Sequence, residues 1–201
     1  MKLLPFLALS AAVATPAFAQ ETRQLDAHEH GVGQLDIAFD GTQITMELHA
    51  PGADIVGFEY AAESSEERAA IDAAVAMLAK PLDLFVLTDA AGCSVVNASA
   101  GLEGEESHDD HGDEHADEEA GHDDHAEDDH EEHADEAGHT EFHAEYLLTC
   151  ADATAVTDIT FAYFDAFPNA LEVEVQVISD TGATSFEVER AAPTLDLRGM
   201  F

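Results

Sequence analysis

Residues 103–141 set the first limit on what this chain can fold into. Within them, SHDDHGDEHADEEAGHDDHAEDDHEEHADEAGH (107–139) has acidic side chains at every second or third position and almost no apolar group to bury. Such a segment cannot offset the entropy of being ordered, so a disordered insertion loop is expected there. The tract also repeats itself: HDDH begins at His108 and again at His122, and EHADEEAGH (114–122) returns as EHADEAGH (132–139). Repetition of this kind fits expansion without a fixed tertiary role. The core must therefore come from the two flanks.

Both flanks read mainly as strands. In GQLDIAFDGTQITMELHAP, Leu35, Ile37 and Phe39 alternate with polar neighbours. Asp40 and Gly41 signal a tight turn, and Ile44, Met46 and Leu48 alternate again, which together predict a hairpin. Ser64 and Glu67 form a capping-box pattern ahead of Ile71, Val75 and Leu78 at helical spacing, with Pro81 as the stop. Further strand-like runs are LDLFVL, CSVVNA, FHAEYLLTC, VTDITFAYF, LEVEVQVIS and TSFEVER, with a turn at Asp180–Gly182. The alternation in LEVEVQV indicates a half-buried antiparallel sheet. The expected class is α+β: one antiparallel sheet of roughly six to eight strands with a single amphipathic helix packed on a face.

The opening MKLLPFLALSAAVATPAFA has a basic Lys2, an apolar run and the small-residue pattern of Ala17, Phe18 and Ala19. It reads as a signal peptide over residues 1–19, leaving Gln20–Phe201 as a single domain of an exported chain. No other stretch approaches the roughly 18 apolar residues of a membrane span, so insertion into a membrane is not expected. The formal charge is −38, with six basic residues in all and none between Lys80 and Arg190. A surface of that sign repels nucleic acid and anionic lipid and favours cations. Cys93 and Cys150 are the two cysteines, and in an exported chain an isolated pair most often forms a disulfide. Both flank the tract, so the bond is expected to staple its feet, worth about 4 kcal/mol by loop closure. The alternative, two thiolates on a metal, is disfavoured because oxidising compartments consume free thiols.

Nine of the twelve histidines fall between His108 and His143. Imidazole is the commonest ligand for divalent transition metals, and carboxylates complete the shell. The pairs His108/His111, His122/His125 and His130/His133 are spaced to let two rings reach one ion, and His115 and His139 add to the supply. An acidic run alone would read as a solvated spacer. Histidine at this density adds nothing to solubility, which favours reversible metal binding. Zinc, copper and nickel all suit mixed nitrogen and oxygen ligands. A second, ordered site is expected from His28, His30, His49 and His143, all at strand ends. Catalysis is not expected: HEHGV and HEEHA both miss the H-E-x-x-H spacing, and the chain has no G-x-S-x-G, phosphate loop or dinucleotide fingerprint.

The succession HEHGVGQLDIAFDG, APGADIVGFEY, AAGCSVV, the histidine-rich insertion, EFHAEYLLTC, FDAFPNALEVEVQVIS and a closing LDL resembles the ZrgA family of bacterial periplasmic zinc-uptake proteins. The resemblance implies a periplasmic protein that carries Zn²⁺ as reversibly bound cargo and assists an inner-membrane zinc transporter. It highlights His28, His30, His143, Cys93 and Cys150. One departure is Tyr60, at a position where the family commonly has histidine, which implies an ordered site that is weaker or is completed from the tract. The alternative function is a periplasmic buffer against excess copper, nickel or zinc. Two further readings are a zinc hydrolase on three scaffold histidines and a structural β-domain with the tract as spacer.

Overall fold

The computed structural model describes residues 29–104 and 139–201. The signal-peptide reading of 1–19, the bulk of the insertion, and His28, His108, His111, His115, His122, His125, His130 and His133 lie outside the described residues.

The expected hairpin forms from β1 (Val32–Asp40) and β2 (Gln43–Pro51), turning at Gly41 with φ +60°. Three helices follow, α1 (Gly52–Ile55), α2 (Ser65–Leu78) and α3 (Pro81–Leu84). The capping box at α2 is complete: the Glu67 amide donates to Ser64 Oγ at 3.1 Å, and the Ser64 amide donates to Glu67 Oε2 at 2.8 Å. The Ser64 amide, with the Tyr60 hydroxyl and the Glu63 amide, donates to the Glu67 carboxyl and holds it down at about 2. The remaining elements are β3 (Phe85–Leu87), β4 (Cys93–Gly104), β5 (Thr140–Cys150), β6 (Asp158–Phe161), α4 (Tyr163–Ala166), β7 (Glu172–Ser179), β8 (Gly182–Glu189) and β9 (Thr194–Asp196).

The protein is mostly β-sheet with few helices, in keeping with the α+β class. In place of one antiparallel sheet the described residues form two: a six-stranded sheet ordered β4-β5-β2-β1-β7-β8 and a three-stranded sheet ordered β3-β6-β9. Nor is the larger sheet purely antiparallel, because β1 and β7 run side by side in the same direction, Leu35 beside Val175 and Ile37 beside Val177. The amides of Leu171 and Glu172 both donate to the Gly31 carbonyl, at 2.8 and 2.9 Å, which docks the start of β7 beside the start of β1. Two of the strand-like runs are also shorter than expected. Pro81 opens a helical turn at its favoured first position, so LDLFVL is strand only from Phe85 onward, and VTDITFAYF turns into α4 after Phe161.

One apolar core lies between the sheets. The inward faces of β1, β2, β5 and β7 contribute Leu35, Ile37, Met46, Leu48, Phe142, Leu148, Val173 and Val175, all buried. Phe85 of β3 meets Phe161 edge-on at 5.3 Å and lies 6.3 Å from Tyr146 of β5, joining the two sheets through an aromatic cluster. Ala74 and Leu78 of α2 belong to the same core. Among the described residues no helix is long and apolar enough to cross a membrane.

Cys93 and Cys150 form a disulfide. They pair across β4 and β5 at the end remote from the tract, whose feet are the pair Gly104 and Thr140. The bond therefore ties the base of two long strands and not the feet of the insertion. The two positions differ by the length of β4, roughly 35 Å of strand. Changing both cysteines to serine is expected to lower the unfolding free energy by about 2–4 kcal/mol, measured by urea titration. An unchanged midpoint would mean that strand pairing alone fixes this end of the sheet.

Candidate metal centre

Strand alternation sends Glu47 and His49 of β2, and Glu141, His143 and Glu145 of β5, to the face of the large sheet that points away from the core. The antiparallel register then sets His49 directly opposite His143, and Glu47 directly opposite Glu145. The imidazole rings meet nearly edge-on with centroids 4.0 Å apart. Glu141, two residues before His143, completes the group: His143 Nε2 lies 2.6 Å and His49 Nδ1 3.6 Å from the same oxygen, Glu141 Oε2. The longer distance is a charge contact and not a well-made hydrogen bond.

The second nitrogen of His49 is also engaged, with Nε2 at 3.1 Å from Glu47 Oε1. A carboxylate accepts only, so a proton on Nδ1 answers Glu141 in the charged ring and an ion there would replace it, while the proton on Nε2 is held by Glu47. That is the carboxylate–histidine arrangement that orients metal ligands. His49 Nδ1, His143 Nε2 and a Glu141 oxygen all lie within 4.8 Å of one another. Tetrahedral zinc with bonds near 2.0–2.1 Å holds its ligands about 3.4 Å apart, a closure that side-chain rotation supplies. Glu103 of β4, with Oε2 3.7 Å from His143 Nε2, stands at the exposed side and offers a further oxygen.

The surrounding charge favours a cation. None of the six strands in the large sheet carries a lysine or arginine. Carboxylates face one another directly as Asp36 and Glu47, Glu47 and Glu145, Glu103 and Glu141, and Glu174 and Glu187. Like charges at such positions cost stability. The ring of His49 is held above its ordinary value of 6.5; Glu141 is the largest cause, burial opposes it, and Glu47 adds to it. A divalent ion competes for the nitrogens that this proton uses.

The described scaffold histidines do not all meet, and His28 lies outside the described residues. His49 and His143 come together as described. His30, in the turn before β1, instead meets His139, the residue before β5, on the carboxylate of Glu59, at 2.9 and 2.8 Å from one oxygen. Tyr60 belongs to neither group, since its hydroxyl donates to Glu67 Oε1 at 3.0 Å. Sequence reasoning missed Glu141, Glu47 and Glu59. The signal for the first two was their spacing: each lies two residues from a histidine on a strand, and so on the same face.

Two imidazoles and a carboxylate on the outer face of the large sheet, in a strongly acidic field, make a candidate metal site. A comparison with curated proteins finds no match. The sequence pattern of the ZrgA family, described as zinc uptake proteins, matches residues 27–197. The chain belongs to the ZrgA family.

Two outcomes are expected. His49 binds its proton more tightly in the folded chain than in the unfolded one. Protonation therefore stabilises the zinc-free fold below the ordinary value, and that contribution is lost as pH rises through the elevated folded value. Urea titrations of zinc-free protein between about pH 5 and 8 should record this decline, and Glu141→Gln should flatten it. Glu47→Gln should weaken zinc at this centre about 10–100-fold, read by competition with a chromogenic chelator.

Proposed function

We propose that the chain captures Zn²⁺ in the periplasm and assists its delivery to an inner-membrane zinc importer. The observation that supports this most is the convergence of His49 Nδ1 and His143 Nε2 on Glu141, with Glu47 behind His49. Zinc is cargo here, and the geometry suits a carrier. The side chains of His49 and His143 are 23% and 28% exposed, enough for an incoming ligand to reach the ion and take it away. Three protein ligands leave a fourth position for water, for Glu103 or for an acceptor's own side chain.

The histidine- and acid-rich tract supplies the other half of the reading. It leaves β4 after Gly104 and returns to β5 at Thr140, three residues from His143, or roughly 10 Å along the strand. Ions held loosely by His108, His111, His115, His122, His125, His130 and His133 are thereby kept close to the ordered centre. Tethering of this kind gives an effective ligand concentration of roughly millimolar. Capture by many weak ligands followed by passage to one ordered centre allows both fast uptake and release. Family membership in zinc uptake supports the direction of flow.

Calorimetric titration of zinc into the chain beginning at Gln20 tests the reading, with His49→Ala/His143→Ala as the comparison. The double variant should lose one equivalent of the tighter binding and keep the weaker remainder. Growth of cells lacking the protein should fail under zinc limitation and not under zinc excess. Sensitivity to excess alone would favour the buffer instead.

A further inference from the structure

The pair His30 and His139 stands on a group whose free valences point to a ligand of its own. Asp54, in α1, is 2% exposed, yet its Oδ2 has no hydrogen-bond partner among the described residues. Its other oxygen accepts from the Gly31 amide at 2.7 Å, which sets the carboxylate one residue from His30. Glu59 repeats the pattern. Its Oε2 takes both imidazoles, while Oε1 is buried without a partner among the described residues. A buried carboxylate oxygen left unpaired is costly, and two in one cluster call for a physical reason.

No lysine or arginine among the described residues answers either carboxylate. Arg190 is spent on the carbonyls of Phe164, Phe167 and Ala170, Arg198 on Asp196, and Arg68 on the carbonyls of Ala62 and Glu63. Asp54 and Glu59 feel each other's charge as well as that of His30, and desolvation is the main influence pushing the Asp54 carboxyl up. Two negative charges, two imidazoles and two open oxygens match the charge and ligand count of one divalent ion of the zinc class.

The backbone supports the same arrangement. Gly31 has φ +91°, a conformation that turns its amide onto Asp54 and that side-chain-bearing residues rarely adopt. At Gly52, a Cβ would fall 2.5 Å from Thr140 Oγ1 and 2.6 Å from the Phe58 carbonyl, so only glycine lets α1 approach the start of β5. The Thr140 amide donates to the Glu59 carbonyl at 2.9 Å, fixing His139 beside Glu59.

We propose that His30, His139, Glu59 and Asp54 form a second divalent-cation site, separate from the His49–Glu141–His143 centre and placed where the tract rejoins the sheet. It takes the ion through His30 and His139 and balances it with Glu59 and Asp54. The rings are 66% and 68% exposed, so an ion enters from the solvent side while the carboxylates form the floor. His139 immediately precedes β5, in which Glu141 and His143 follow at alternate positions about 7 Å apart, which puts Glu141 between the two sites. An ion arriving at His139 has Glu141 as its next ligand and His143 as the one after. The inference requires only that the chain binds a divalent cation, whatever the destination of the ion.

Zinc titration of the ¹⁵N-labelled chain from Gln20, followed at the histidine ring nitrogens, tests this, with calorimetry on His30→Ala/His139→Ala and on Glu59→Gln. Both substituted histidines are exposed, so the fold should persist, and Glu59→Gln keeps the side-chain shape. In the unaltered chain the His30 and His139 ring signals should shift together on zinc addition. The double variant should lose one equivalent while His49 and His143 still respond, and Glu59→Gln should weaken that equivalent about tenfold or more. Signals of His30 and His139 that stay fixed, with stoichiometry unchanged in the double variant, would overturn the second site. A response at His30 and His139 with none at His49 and His143 would instead sink the first centre and leave this one standing.

Discussion

The register between β2 and β5 is what assembles the candidate metal centre. With His49 opposite His143, both rings and the Glu141 carboxylate share one face. A slip of one residue would send His49 toward the core and bring Leu48 or Ala50 to the surface. The slip is resisted by what lies beneath: Leu48, Ala50, Phe142 and Ala144 are all buried on the opposite face, in the same core that holds the second sheet. The chemistry of the outer face is therefore fixed by apolar packing on the inner one. Burial of even a few such side chains, at about 1.5–3 kcal/mol each, outweighs the mutual repulsion of carboxylates above them.

That repulsion gives the acidic face its meaning. Directly opposed pairs such as Asp36 with Glu47 and Glu47 with Glu145 destabilise a sheet, and no basic residue on the six strands relieves them. A cation does relieve them. The same logic extends to Asp54 in α1 and Glu59 in the segment after it, each with one carboxylate oxygen unpaired among the described residues. The fold thus carries unfavourable electrostatics that a bound cation would relieve, which would couple affinity to stability.

Much of the fold was legible in the sequence. The β1–β2 hairpin, the capping box of Ser64 and Glu67 and the alternation of Val173, Val175 and Val177 follow from local chemistry, and the Cys93–Cys150 bond from there being just two cysteines. Non-local relations did not. Alternation says that one face of β7 is buried but is silent on its direction, so the parallel pairing with β1 stayed hidden. The separation of β3, β6 and β9 into a second sheet rests on packing between distant aromatic residues. At the site, His49 and His143 were visible as strand-end histidines, but their meeting depends on register across the insertion. The division of His30 from His49 depends on the turn at Gly31, and the role of Asp54 on a helical turn of four residues.

The candidate centre of His49, Glu141 and His143 is the element on which the proposed capture and passage rest. Anomalous scattering at the zinc edge, from crystals of the zinc-loaded chain, examines it directly. The expected result is an ion about 2.0–2.2 Å from His49 Nδ1, His143 Nε2 and a Glu141 oxygen, with Glu47 still on His49 Nε2. Zinc found only elsewhere, with both rings still turned onto their carboxylates, would contradict the account.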